Sequence, residues 1–136
     1  MIIDGRYNYI DPFIKLMSLS VEWKGESYVL IELVQFGRTM KSRKIAEELH
    51  KHGFRPATLP ELLAYGAAHP EQQKIAPIVA LGSIWCDALG LENVAYLWYC
   101  SGKRLLDLTC LADGWPSHYR FAAIRMIRGY LDNSDI

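Results

Sequence analysis

The sequence predicts an α+β fold in which two helices pack on short mixed or antiparallel sheets. The 136 residues suit one domain, residues 1–136, and a hydrophobic content of 51% can supply its core. Two helical patterns follow one another in the first half of the chain, and four strand-like runs follow in the second half. Because helices and strands are grouped and do not alternate, an α+β domain is favoured over a parallel βαβ one.

The N-terminal part of the chain is predicted to form a β-hairpin. Its two arms are residues 16–23 and 27–36, and residues 24–26 form the turn between them. The second arm is rich in strand-forming residues such as Tyr28 and Val29, which favours an extended conformation.

The next segment changes to a helical period. Ser42 is the predicted N-cap of a first helix that buries Ile45 and Leu49 along one face. Gly53 is placed to end this helix, because glycine readily adopts a left-handed conformation.

A capping box marks the start of the second helix. The Thr58 hydroxyl and the Glu61 carboxylate can each bond a backbone N–H that the first turn leaves without a partner. Pro60 is tolerated in the first turn, and Pro70 prevents the helix from continuing. The predicted buried stripe of this helix consists of Leu59, Leu62, Leu63 and Ala67.

Four strands are predicted in the second half, at residues 78–85, 94–100, 104–110 and 119–126. The third of these runs alternates, with leucines and a cysteine on one side and Asp107 and a threonine on the other. The fourth run is apolar on both faces, which is typical of a central strand.

Composition narrows the possible partners. Fifteen basic residues balance fifteen acidic ones, so no chain-wide field attracts a nucleic acid. No apolar stretch reaches the roughly 20 residues of a membrane helix, and the N-terminus does not read as a secretion signal. Three cysteines without a CxxC pair favour a reduced compartment. We therefore expect no membrane insertion and, by default, a cytoplasmic location.

Motifs for catalysis are not evident. Gly-rich phosphate loops, GxSxG and HExxH are absent from the sequence. His50 and His52 fall on adjacent faces of a helix end, which is typical of solvated residues. Neighbouring strands could bring Cys100 and Cys110 together as a disulfide or redox pair, although contact roles suit them better. The sequence thus predicts a protein that is not an enzyme and that needs no metal or cofactor.

The segment from residue 94 to residue 119 combines rigid aromatic rings with short polar side chains, as recognition surfaces do. Trp115 and Tyr96 have apolar neighbours and are predicted to lie in the core. Tyr99 and residues 116–119 lie in or beside turns and are predicted to be exposed. His118 could titrate near neutrality, but no carboxylate or nucleophile stands beside it in the sequence, so a contact role is favoured.

Several segments occur in an order that resembles a known family. They are RPATLPELL at 55–63, residues 77–83, 94–97, 106–108 and 114–115, and RFAAIR at 120–125. This order resembles the variable proteins of diversity-generating retroelements, which have a C-type-lectin-like fold. The resemblance covers residues 5–125, about the whole chain except its tail. It implies a binding function, in which mutagenic reverse transcription rewrites selected codons while the motifs hold the fold.

The resemblance also implies where the binding residues lie, in the gaps between motifs over about residues 94–125. The tail at 126–136 receives no role. The expected partner is an unidentified protein or small ligand. Display on a cell surface or virion through another chain stays open beside the default cytoplasmic location. The implied ligand-binding positions are Trp98, Tyr99, Cys100, Ser101, Thr109, Cys110, Leu111, Asp113, Pro116, Ser117, His118 and Tyr119.

Two other functions stay open at this point. An enzyme or a metal or redox protein of the same fold would use Cys100, Cys110 and His118. A structural domain would place the exposed rings in the subunit interface of a homo-oligomer.

Overall fold

A seven-stranded mixed sheet and three helices make up the described part of the protein. The computed structural model describes residues 9–10, 30–111 and 114–126. The predicted α+β class is confirmed, and one short helix, α3, was not predicted. The helices are α1 (Ser42–Lys51), α2 (Leu59–Ala68) and α3 (Gln72–Ile75). The strands are β1 (Tyr9–Ile10), β2 (Ile31–Val34), β3 (Phe54–Pro56), β4 (Ile78–Cys86), β5 (Glu92–Cys100), β6 (Lys103–Cys110) and β7 (Arg120–Arg125).

The strands are ordered β1-β6-β5-β4-β7-β2 across the sheet, and β3 also pairs with β7. The β1–β6 and β4–β7 pairs are parallel, while the other pairs are antiparallel. β7 therefore bonds to β4 at its start, to β3 at its end and to β2 along most of its length. The four residues from Phe121 to Ile124 are all buried, which confirms the central position predicted for this run.

The sheet has an apolar layer on each side, because consecutive strand residues point to opposite faces. In β5, Ala95 and Leu97 join the layer beneath α2, whereas Val94 joins the layer beneath α1. Leu62 of α2 and Leu49 of α1 are fully buried against these two layers. The helices thus lie on opposite faces of one sheet.

β4 does not follow β5 along its whole length. Ala80 pairs with Ala95 and Ile84 pairs with Val94, so residues 81–83 have no partner in β5. These residues bond instead to the segment that precedes α2. The Gly82 N–H donates to the Ala57 carbonyl at 2.8 Å, and the Leu59 N–H donates to Ser83 Oγ at 2.9 Å. The bulge in β4 therefore holds the start of α2 against the sheet.

The predicted capping box of α2 is confirmed. Glu61 Oε1 accepts from the Thr58 N–H at 2.9 Å, and Arg55 donates to both carboxylate oxygens at 3.0 and 2.7 Å. Burial opposes ionisation of Glu61, but the bonds from Arg55 and Thr58 outweigh it and hold the pKa of this carboxyl below its usual value. One charge pair thus fixes β3 to the first turn of α2.

Two details of the helices differ from expectation. The N-cap of α1 is Lys41, and Ser42 is instead a helical residue whose Oγ accepts from the Trp115 indole N–H at 2.6 Å. In α2, Leu59 and Leu62 are buried as predicted, but Ala67 is exposed and Gly66 is buried in its place. The reason is geometric, since residue 66 follows 59 and 62 on one face and residue 67 lies about 100° further round. Gly53 has φ +86° and ends α1 as predicted.

The predicted N-terminal hairpin is only partly within the described residues. Its first arm, residues 16–23, lies outside them. Of the second arm, residues 31–34 form β2, which pairs antiparallel with β7. Across the described ranges, no helix is both long enough and apolar enough to cross a membrane.

We predict that Gly82→Ala lowers the free energy of unfolding by about 1–3 kcal/mol, the usual cost of overpacking. A Cβ at residue 82 would lie 2.6 Å from the Ala57 carbonyl oxygen and 2.7 Å from that of Pro56, and backbone cannot easily move aside. Urea denaturation measures the change. Gly90→Asn is the control, because this loop position has open space and asparagine tolerates its φ of +82°. Equal losses in the two variants would contradict the prediction.

We also predict that Glu61→Gln destabilises the protein by about 1–3 kcal/mol, since it removes charge-assisted hydrogen bonds. Because the pKa of Glu61 is lowered in the folded state, its stabilising contribution is present above the usual value of 4.5 and is lost as the pH falls below it. Unfolding measured from pH 7 to pH 3 should therefore show the two proteins converging in acid. A constant difference over that range would contradict the prediction.

Candidate functional site

The β5–β6 hairpin is the frame of the candidate site. Ser101 and Gly102 form its two-residue turn with φ values of +52° and +77°, the left-handed geometry that tight hairpins favour. The register runs from Cys100 paired with Lys103 at the turn to Asn93 paired with Cys110 at the far end. Since paired residues point to the same side, this register determines which predicted site residues share a face.

One face of the hairpin is turned toward α2 and α3. Tyr99 and Arg104 pair on this side, where Lys74 Nζ lies 5.5 Å from the centre of the Tyr99 ring. Arg104 donates to Gln73 Oε1 at 3.2 Å. Cys110 points to the same side, at the other end of the strand. Tyr99 and Cys110 therefore do not share a face with Trp98 and Thr109. The implied binding residues do not form a single patch.

The other side of the hairpin forms what we call the aromatic face, made of Tyr96, Trp98, Asp107, Thr109 and Tyr119. The Tyr96 and Trp98 rings stack with centroids 6.0 Å apart and planes 24° from parallel. Asp107 lies directly across from Tyr96, in the neighbouring strand. All of these side chains are half-buried, so the face is accessible at its surface while its base belongs to the core.

Charge and burial act on the phenol in this face. Burial, together with the nearby Asp107 carboxylate and the Tyr119 phenol, raises the pKa of Tyr96 to about 12. Tyr96 is therefore a neutral hydrogen-bonding group under ordinary conditions. The indole Nε1 of Trp98 is buried and donates to no acceptor.

The loop before β7 completes the site. Trp115 is buried, as predicted, and is fixed by its bond to Ser42 and by backbone bonds with Met40. The Tyr119 ring packs on Trp115 with centroids 5.8 Å apart, so Tyr119 is half-buried. The prediction that Tyr119 is exposed is therefore wrong. Residues 116–118 of this loop are exposed, and the buried Trp115 anchors the end of the loop that precedes them.

None of the described positions implied by the resemblance is buried. Asp113 lies outside the described residues. Three belong to the aromatic face, three are exposed in the loop, Cys100 and Ser101 lie at the hairpin turn, Leu111 follows β6, and Tyr99 and Cys110 point to the opposite side. The exposed positions are Tyr99, Cys100, Ser101, Cys110, Pro116, Ser117 and His118, and the half-buried ones are Trp98, Thr109, Leu111 and Tyr119.

The cysteines are not brought together. Cys86, Cys100 and Cys110 are free and exposed. Cys100 pairs with Lys103, which is seven residues from Cys110 along β6, so the two thiols lie about 20 Å or more apart. The alternative in which neighbouring strands bring Cys100 and Cys110 together is therefore wrong, because the two residues occupy opposite ends of one hairpin. Within the described chain, no group of three His, Cys, Asp or Glu side chains could hold a metal ion.

Two contributors were missed by sequence reasoning. Asp107 was assigned to a strand face but not to the site, although its alternation with Leu106 and Leu108 already placed it beside Thr109. Gln73 of the unpredicted α3 is buried, and its Nε2 donates to the carbonyls of Trp98 and Leu105 at 2.7 and 3.2 Å. No local pattern reveals that contact, because it joins residues far apart in the chain.

Comparisons with protein-family models, with curated proteins and with solved structures found no match for this chain. Its function must therefore be inferred from its own residues and their arrangement. The aromatic face and the loop before β7 are the features with chemistry suited to recognition.

We predict that Tyr96 ionises only in strongly alkaline solution, because burial, the Asp107 carboxylate and the Tyr119 phenol raise its pKa to about 12. Because its pKa is raised in the folded state, the stability it contributes is present below pH 10 and is lost as the pH rises toward 12. Tyrosinate absorbance of wild type and Tyr96→Phe should differ only in the most alkaline part of the titration. Denaturation at pH 9 and pH 11 should show a smaller loss in the variant, and an equal loss in both proteins would contradict the prediction.

Proposed function

We propose that this protein is a non-enzymatic display domain with a C-type-lectin-like fold, and that a retroelement diversifies its surface residues to vary the ligand it binds. The observation that carries the proposal is a division of labour between motif and gap residues. The motif residues supply much of the buried core, whereas the described residues between the motifs from residue 98 onward are never fully buried.

The framework motifs contain buried side chains and an ion pair on which the fold depends. In RPATLPELL, Ala57, Leu59 and Leu62 are buried and the Arg55–Glu61 pair fixes the helix start. In RFAAIR, residues 121–124 are buried in the central strand. Substitution at these sites removes packing or bonds that no neighbouring group can replace. They are the positions that a diversifying mechanism has to leave unchanged.

The gap residues have few structural contacts. Cys100 Sγ lies 3.7 Å from Ser101 Oγ, and the Ser117 backbone carbonyl accepts from Gln35 Nε2 at 3.4 Å. A change in such a side chain creates no core cavity. It therefore avoids the roughly 2–5 kcal/mol cost of a large-to-small core substitution.

The proposed binding surface consists of the aromatic face and the adjacent loop at residues 116–118. Rigid rings at the base supply contact area at low entropic cost, and short polar groups around them supply hydrogen bonds. Tyr99 and Cys110, which point to the opposite side of the hairpin, fall outside this surface. They contact a ligand only if it reaches around the end of the hairpin.

The proposal is tested at the parent gene locus and in the purified protein. The locus should contain a near-identical template repeat that differs from the gene at adenines, next to a reverse transcriptase gene. In the protein, Thr109→Ala combined with Ser117→Ala and His118→Ala should change the free energy of unfolding by less than about 1 kcal/mol.

The matched control is Phe121→Ala, a buried framework change that should cost about 3–5 kcal/mol. A locus with neither the repeat nor the enzyme would refute diversification. A triple variant as unstable as the control would refute the separation of binding surface from framework.

A further inference from the structure

Four exposed cations form what we call the basic surface, at the start of α1 and just before it. They are Arg38, Lys41, Arg43 and Lys44. Neither the segment at residues 33–46 nor the segment at residues 114–126 contains an aspartate or a glutamate. The whole chain is balanced in charge, but this part of it is strongly positive.

Backbone and side-chain bonds place the basic surface beside the loop before β7. The Met40 N–H donates to the Trp115 carbonyl at 3.3 Å, and the Trp115 N–H donates to the Met40 carbonyl at 2.7 Å. Gln35 Nε2 donates to the Ser117 carbonyl at 3.4 Å. Because Lys41 follows Met40 directly, a ligand bound at the loop lies close to the basic surface.

The fold makes little use of these charges. Within the described ranges, Arg38, Lys41 and Arg43 form no ion pair, whereas Lys44 Nζ lies 3.3 Å from a Glu48 carboxylate oxygen. Lys41 is the N-cap of α1 but makes no side-chain bond to the helix, and the first turn contains no acidic residue. Cations at this end of a helix oppose its dipole, which favours negative groups there. The charges therefore do not stabilise α1, and they are available to a ligand.

The number and placement of the cations favour an acidic protein segment over a nucleic acid. Nucleic-acid binding typically spreads about 6–10 phosphate contacts along the ligand. Here the four cations lie within one short segment, residues 38–44. Carboxylates of a protein ligand can pair with such a small cluster through charge-assisted hydrogen bonds. The same ligand can contact residues 116–118 next to it.

We propose that the basic surface attracts an acidic segment of the protein ligand that binds at the adjacent loop. This inference rests on the proposed binding function and adds the charge of the ligand. The four cations lie outside residues 94–125, so diversification of that region leaves them unchanged. Every diversified form then shares one attraction, which raises the rate of encounter with acidic ligands, while the loop selects among them.

The experiment uses the full-length wild-type chain, so the charges of residues outside the described ranges contribute to the result. An acetylated tetraglutamate amide is titrated against it, and the tetraglutamine peptide is the neutral control. The readout is the backbone amide NMR resonances of residues 38–44, 117 and 118. We expect the glutamate peptide to shift them at concentrations where the glutamine peptide shifts them at least five-fold less. About 0.5 M NaCl should remove most of the shift, because salt screens exposed charges.

Charge-matched variants locate the interaction. Arg38→Gln combined with Lys41→Ser should weaken binding of the glutamate peptide at least five-fold. The control is Lys51→Ser combined with Lys74→Gln, which removes the same net charge and should stay within about two-fold of wild type. Lys51 lies at the other end of α1, about 15 Å from Lys41, and Lys74 lies on α3, on the other side of the sheet.

Lys41→Ser by itself separates binding from folding. A serine N-cap accepts a bond from the first turn, and residue 41 already has the extended backbone of an N-cap, with φ −78° and ψ 154°. We expect this variant to melt about 3 °C above wild type and to bind the glutamate peptide about two-fold more weakly. A lower melting temperature would overturn the proposal at this residue, because Lys41 would then serve the fold.

Equal shifts with the two peptides would overturn the proposal, as would unchanged binding in the double variant at residues 38 and 41. Equal or larger shifts with a thymidine pentanucleotide, whose four phosphodiesters match the charge of the glutamate peptide, would overturn the assignment to a protein ligand. The peptide comparison uses wild-type protein and stays decisive even if a variant fails to fold. A negative result leaves a diversified loop for ligands that are not acidic, whereas a locus without a template repeat leaves the basic surface intact.

Discussion

β7 can bond to three strands because two of them share one of its edges. β4 pairs with the first two residues of β7 on that edge, and β3 pairs with the last three. β4 then bends through residues 81–83 and meets the backbone at Ala57, where the absence of a side chain at Gly82 allows the two chains to touch. This contact joins the central sheet to the start of α2. Because α2 covers one apolar layer of the sheet, the packing of Leu97 and Leu106 beneath it also depends on the contact between Gly82 and Ala57.

The hairpin that bears the aromatic face is supported from the opposite side of the sheet. Gln73 of α3 bonds the carbonyls of Trp98 and Leu105, and Arg120 holds α3 through the carbonyls of Gln72 and Ala76. Burial lowers the pKa of Arg120, but its guanidinium still donates to several oxygens. The backbone beneath the two stacked rings is thus fixed by contacts that do not involve the side chains of the aromatic face. Those side chains can therefore change while the supporting bonds on the other side of the sheet stay the same.

Much of the fold and part of the site could be predicted from local patterns. The α2 capping box, the left-handed Gly53 and the four C-terminal strands follow from residue types a few positions apart. The burial of Trp115 and the exposure of residues 116–118 were also correct. The implied binding positions included both Tyr99 and Thr109, but the structure places these two on opposite sides of the hairpin. The pattern within each strand does not reveal this, because it does not fix the pairing register between strands.

The sequence by itself determined the two longer helices and the four C-terminal strands, because hydrophobic period, capping and turn residues act over a few neighbouring positions. Tertiary structure alone decided the meeting of Tyr96, Asp107 and Tyr119, the separation of Cys100 from Cys110, and the buried role of Gln73. Each of these depends on strand register or on a contact between distant segments. Such contacts are selected by the packing of the whole sheet and by the need to pair buried polar groups. A short segment of sequence does not determine either of these two factors.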